Sequence, residues 1–106
     1  MRATLDEIHR LHASVCKGLG DPKRLLIINL LRDGERTTSE ICQELGFSQA
    51  NISQHLGILR SKGLIKSRKE GQRVYHSLAS PKIAEAMDLM REVLDESLGA
   101  LVHTVR

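Results

Sequence analysis

Two short runs of helical periodicity meet at a single glycine. Thr37-Thr38-Ser39-Glu40 has the form of a capping box, with Thr37 as cap and Glu40 reaching back, and predicts a helix to Leu45. Gly46 stops that helix and Phe47-Ser48 forms the turn. A second helix begins near Gln49, carries Ile52, Leu56 and Leu59 on one face, and ends at Lys62-Gly63. Ile41, Cys42 and Leu45 face inward from the first. Two helices this short, joined this tightly, spell a helix-turn-helix over about 38–62. The competing reading is an ordinary helical hairpin with a polar outer face.

The segment after Gly63 decides between them. Its period changes from helical to alternating. Leu64 to Lys69 and Gln72 to Leu78 flank Glu70-Gly71, which predicts a β-hairpin over about 64–78. A hairpin carrying Arg68, Lys69 and Arg73 beside such a helix is a wing, placed to reach DNA backbone or minor groove.

Upstream, Leu5, Ile8, His12 and Val15 at helical spacing predict a helix over about 4–18. Gly20-Asp21-Pro22 breaks the chain and restarts it, with Asp21 as cap and Pro22 in the first turn. The next helix, Leu25 to Leu31, is apolar nearly all round and is expected at the buried centre. Ser80-Pro81 opens a last helix over about 81–104. Its stripe of Ile83, Met87, Met90, Leu94, Leu98, Leu101 and Val105 is longer than a small core requires, so a partner helix is its expected use.

A chain of 106 residues suits one domain. No apolar run approaches the ~20 residues of a membrane span. The acids Asp6 and Glu7 stand where a signal peptide needs an apolar stretch, and two cysteines are too few for a disulfide framework, so the expected compartment is the reducing cytoplasm. Phe47 and Tyr75 are the only aromatic residues, which argues against single-strand binders that stack bases on aromatic platforms. Charge is uneven. Residues 1–47 are neutral, 48–80 carry net +5 and 81–106 carry net −2. A basic third inside a neutral chain points to a polyanion contact there.

The second helix of the motif therefore reads as a major-groove helix. Gln49, Asn51, Ser53, Gln54, His55 and Arg60 are expected on its exposed face, with side chains able to bond base edges and phosphates. Ser48 adds a phosphate contact at its start. Lys62, Arg68, Lys69, Arg73 and Tyr75 complete the expected DNA-binding set.

The runs Leu19-Gly20-Asp21-Pro22-Lys23-Arg24-Leu25, Ser48 to Leu59, Gly63-Leu64-Ile65 and Gly71 to Leu78 resemble the ArsR/SmtB family of winged-helix repressors over about residues 12–95. The resemblance implies a mainly α (α+β) winged helix-turn-helix of order α-α-α-α-β-β-α. It further implies a homodimer through the first and last helices that reads an imperfect palindrome in double-stranded DNA. It implies repression of its own operon until an inducer binds.

The family's metal sites do not carry over. Thr37 and Ser39 stand where the arsenic-type Cys-Val-Cys run would be, and Ser80-Pro81-Lys82 where the zinc-type Asp-x-His pair would be. The remaining sensor candidates are Cys16, Cys42 and His12. Each cysteine also fits as a small core residue. His12 and Cys16, with His9, share one helical face that a partner's last helix, with Asp95 or His103, would meet. Mixed sulfur and nitrogen donors suit zinc or another borderline metal, and a thiolate there would also be open to oxidation or persulfidation. No cofactor is required. Two other classes compete. A winged-helix protein-interaction module needs neither the +5 segment nor the polar helix face. An enzyme would need a motif, such as Cys-x-x-Cys or a glycine-rich phosphate loop, that the chain lacks.

Overall fold

A computed structural model describes residues 2–105 of the chain, with the side chains of 2–98. Helix α1 begins at Leu5 because Thr4 and Glu7 form a capping box. It runs as α-helix over Leu5–Leu11, passes through a π-helical turn at His12–Cys16, and ends as Lys17–Leu19. The spacing of apolar residues carries no signal for that turn. Asp21 caps α2 (Pro22–Leu31), its Oδ1 accepting from the Lys23 amide at 2.8 Å.

The two-residue strand β1 (Arg36–Thr37) leads into α3 (Thr38–Leu45), capped by the expected Thr37–Glu40 box. Gly46 ends α3 at φ 75°, a left-handed conformation that a Cβ would strain. Ser48 caps α4 (Gln49–Ser61). Strands β2 (Ile65–Glu70) and β3 (Arg73–Leu78) form the hairpin, and β1 adds to β3, giving an antiparallel sheet of order β1-β3-β2. The loop is Gly71-Gln72, one residue later than expected, because Glu70 pairs with Arg73. β1 was not expected, since two residues leave no period to read. α5 (Pro81–Val105) completes the chain, and Arg32 at the end of α2 holds its first half through an ion pair to Asp88.

The core lies where α2, α3, α4 and the wing meet. Ile27, Ile28, Leu31, Ile41, Ile52, Leu56, Leu59, Leu64 and Ile65 are buried there. Each such side chain contributes roughly 1.5–3 kcal/mol relative to exposure. α2 is not buried all round. Leu25 and Leu26 are 36% and 44% exposed, because both line a groove between α2 and α5, and Leu25 also lines a trough between α1, α2 and α5. Along α5 the apolar stripe also lies open at Met90, Leu94 and Leu98, as do Leu5 and Ile8 on α1. The side chains of Leu101, His103 and Val105 lie outside the described residues.

Candidate nucleic-acid interface

The turn at Gly46 and the cap at Ser48 fix where α4 begins. Ser48 Oγ accepts from the Asn51 amide at 3.2 Å, so this hydroxyl is engaged in holding the helix start. Ile52, Leu56 and Leu59 lock the inner face into the core, which turns Gln49, Ser53, Gln54 and Arg60 outward. A cleft of 390 Å³ separates the start of α4 from the wing. Gln49 of α4, Gln72 and Arg73 of the wing, and Thr38, Ser39 and Glu40 of α3 line it. The fold therefore brings the polar face of α4 and the basic hairpin to one edge.

Two expected α4 contacts are placed differently. His55 is 9% exposed and so is not on the open face. Arg24 of α2 reaches its Nδ1 at 3.2 Å, and that partner draws the ring inward. Asn51 is half-buried, and its Oδ1 is buried without a hydrogen-bond partner among the described residues.

The basic groups also divide. Lys69 and Arg73 are exposed on the hairpin, as is Lys66. Lys62 is half-buried at the C-cap of α4. Arg68 is already bound. Its Nε and Nη2 donate to the two carboxylate oxygens of Glu35 at 2.9 and 2.8 Å, and its Nη1 donates to Glu70. The guanidinium lies 4.5 Å from the centre of the Tyr75 ring, so Tyr75 serves as its platform. These carboxylates raise the pKa of Arg68, and Arg68 lowers that of Glu35. Sequence reasoning missed Glu35, because 33 residues separate the partners.

Beneath the wing lies a buried histidine. His76 is 2% exposed. Its Nε2 is 2.8 Å from Thr38 Oγ1 and its Nδ1 is 2.7 Å from Ser67 Oγ. Arg60 Nη1 donates to the same Ser67 oxygen at 3.3 Å. Burial, with the Arg60 charge beside it, holds the His76 pKa below its ordinary value. A polar chain thus joins α3, both wing strands and the far end of α4.

The sensor candidates lie on two elements, His12 and Cys16 on α1 and Cys42 on α3. Cys16 is exposed on α1 and lines the 500 Å³ trough with Val15, Leu19, Met87 and Leu94. His12 and His9 are exposed. Cys42 is half-buried against the core. Both cysteines are free. Among the described residues, no three His, Cys, Asp or Glu side chains gather as a metal site. None of the described helices is long and apolar enough to cross a membrane.

Residues 21–67 match the model for bacterial regulatory proteins of the arsR family. The chain is 34% identical over 95 residues to an uncharacterized HTH-type transcriptional regulator of Mycobacterium tuberculosis, Rv0081, covering 89% of this chain and 83% of that one. The crystal structure of Rv0081 superposes with a TM-score of 0.81 over 90% of this chain and 96% of that one. A homodimeric winged helix-turn-helix DNA-binding domain from Mycobacterium bovis, 34% identical, has a TM-score of 0.75 and covers 92% and 94%. The biofilm growth-associated repressor of Xylella fastidiosa is 31% identical over 78 residues, covering 74% of this chain and 68% of that one.

Proposed function

Since the chain belongs to the ArsR family of bacterial regulatory proteins and is a DNA-binding transcriptional regulator, we propose that it acts as a cytoplasmic homodimeric repressor of an imperfect palindrome. Each protomer lays α4 in a major groove, where Gln49, Ser53 and Gln54 meet base edges. Arg60, Lys69 and Arg73 meet phosphates on either side. The two recognition helices lie roughly 34–36 Å apart, one DNA turn. The observation that carries this reading is the cleft that exposed Gln49 of α4 and exposed Arg73 of the wing both line. The open apolar residues of α1 and α5 form the dimer face, in keeping with the homodimeric domain from Mycobacterium bovis. Its role is binding, not catalysis.

Release comes from an inducer at that face. Cys16, exposed at the mouth of the trough, is the sensor candidate, with His12 on the same helix. A thiol-reactive species or a soft metal ion is the class of inducer that such donors take. Cys42 acts as a packing residue.

The test is fluorescence anisotropy with a labelled duplex from upstream of its own gene. Reduced protein binds tightly, and its affinity falls steeply with salt as phosphate contacts release counterions. Gln54→Ala costs on the order of 1–3 kcal/mol per half-site and relaxes the preference for that duplex over a scrambled one. Zinc, arsenite or a persulfide donor then releases wild-type protein but not Cys16→Ser. Binding that ignores both salt and sequence would sink the DNA-reading assignment. A reporter that rises with the protein would make it an activator instead.

A further inference from the structure

The end of α1 is fastened to α4 at three places. Ser14, inside the π turn, donates its hydroxyl to the Lys62 carbonyl at 2.6 Å, at the C-cap of α4. Gly18 is buried against Lys62 and Leu64. The third fastening runs through Arg24. Its Nε donates to the Gly18 carbonyl at 2.6 Å and its Nη2 to the Lys17 carbonyl at 3.2 Å. Its Nη1 meets His55 Nδ1 at 3.2 Å. A guanidinium has donors only, so Nδ1 is the acceptor in this bond.

One cation therefore satisfies the Gly18 carbonyl, adds a second donor to the Lys17 carbonyl that the Gly20 amide already reaches, and holds a ring in the middle of α4. Moving α1 away from α4 would break these bonds together or drag His55 with it. A half-buried guanidinium stripped of its acceptors is costly, which makes the link stiff.

We infer that Arg24 and His55 are positioning residues for DNA recognition, setting the angle of the α4 reading face from the end of α1. His55 reads no base. It turns the position of α1, one of the two helices of the proposed dimer face, into the position of Gln49, Ser53 and Gln54. This inference rests on α4 being the recognition helix. It also gives events at Cys16, immediately before Lys17, a bonded route to the DNA-reading face.

The test compares duplex binding by wild type, Arg24→Gln, His55→Asn, His55→Leu, the double variant Arg24→Gln/His55→Leu, and Gln54→Ala. The duplex is the upstream fragment, and circular dichroism melts accompany each variant. Asparagine keeps an acceptor oxygen close to the place of Nδ1, and leucine does not. The expected result is a loss on the order of ten-fold for His55→Leu and Arg24→Gln, within the roughly 5- to 150-fold typical of couplings between sites. His55→Asn binds near the wild-type level, and the double variant is no weaker than the weaker single one. Should His55→Leu fail to fold, His55→Asn and Arg24→Gln carry the comparison. Folded Arg24→Gln or His55→Leu with wild-type affinity overturns the inference. So does His55→Asn as weak as His55→Leu. If Gln54→Ala loses sequence preference in those cases, the tether alone is wrong. If Gln54→Ala binds as wild type, α4 is not the reading helix and the tether falls with it.

Discussion

Arg68 grips Glu35 by both carboxylate oxygens, at 2.9 and 2.8 Å, in the fork geometry that a DNA phosphate would otherwise take. Glu35 lies in the turn before β1, so the pair ties that turn to β2 of the wing. In free protein the wing therefore presents one cation fewer than its sequence suggests. DNA must either leave Arg68 in place or take it from Glu35. Glu35→Gln removes the larger of the two competing carboxylate contacts and leaves only that of Glu70. The expected outcome is tighter binding to any duplex and a salt dependence steeper by about one ion per protomer. Arg68→Ala leaves the salt slope unchanged or slightly flatter. Anisotropy across a series of salt concentrations reads both. An unchanged slope in Glu35→Gln with a flattened one in Arg68→Ala would mean that Arg68 already reaches phosphate.

Two glycines on facing elements give opposite expectations. A Cβ on Gly18 would stand too close to Leu64 Cδ1 and 3.3 Å from Lys62 Cβ. Leu64 is buried, so it has nowhere to swing. Overpacking of this kind costs about 1–3 kcal/mol, and alanine's better helix propensity returns up to about 1 kcal/mol. Gly18→Ala should lower Tm by about 4–8 °C for a net loss near 1 kcal/mol. A Cβ on Gly57, in α4, meets nothing closer than Arg60 Nη2 at 4.0 Å. Gly57→Ala should stabilise by about 0.5–1 kcal/mol. Thermal melts of the pair decide it, and equal shifts would show that α1 gives way at no cost.

These residues also mark what was legible in the chain. Thr37, Glu40, Gly46 and Ser48 act on backbone groups within three or four positions, so local chemistry announces them. The inward stripe of α4 follows from spacing alone. His55 occupies a position that spacing leaves open, and a residue 31 positions earlier decides its burial. Arg68 looks like a free wing cation until Glu35 arrives from the other side of α3 and α4. The π turn and β1 are too short to impose a period. Sequence thus announced the helix-turn-helix and the wing, while the partners that engage His55 and Arg68 came from the fold.

His76 should make stability depend on pH in a window of its own. Its ordinary pKa is 6.5, and burial with Arg60 nearby depresses it in the folded state. Between the two values the unfolded chain binds the extra proton and the folded chain does not. Stability is therefore complete above about pH 6.5 and falls as pH drops toward the folded pKa. Glu35, Glu40, Asp21 and Asp88 have lowered carboxylate pKa values, so their losses begin lower, near their ordinary values of 4.5 and 3.8. Urea midpoints measured from about pH 7.5 to about pH 5 should fall for wild type and stay flatter for His76→Gln. The same slope in both proteins would assign the dependence to another group.

The apolar row on α5 sets the last prediction. Met90, Leu94 and Leu98 are 67%, 55% and 50% exposed, on a helix that Arg32 anchors at Asp88. Leu94 also lines the trough beside Val15 and Cys16 of α1, so a charge there would meet both elements of the proposed dimer face. Leu94→Glu should keep its far-ultraviolet helix signal, because the residue adds little to the core of one protomer. Light scattering should return half the wild-type mass. A lone protomer holds one half-site, and losing the second removes the effective concentration that the first provides. Affinity for the full duplex should then fall roughly 100- to 10,000-fold. An unchanged mass would place the dimer contact elsewhere. A halved mass with undiminished affinity would mean that one protomer reads the site alone, and the palindrome would have no role.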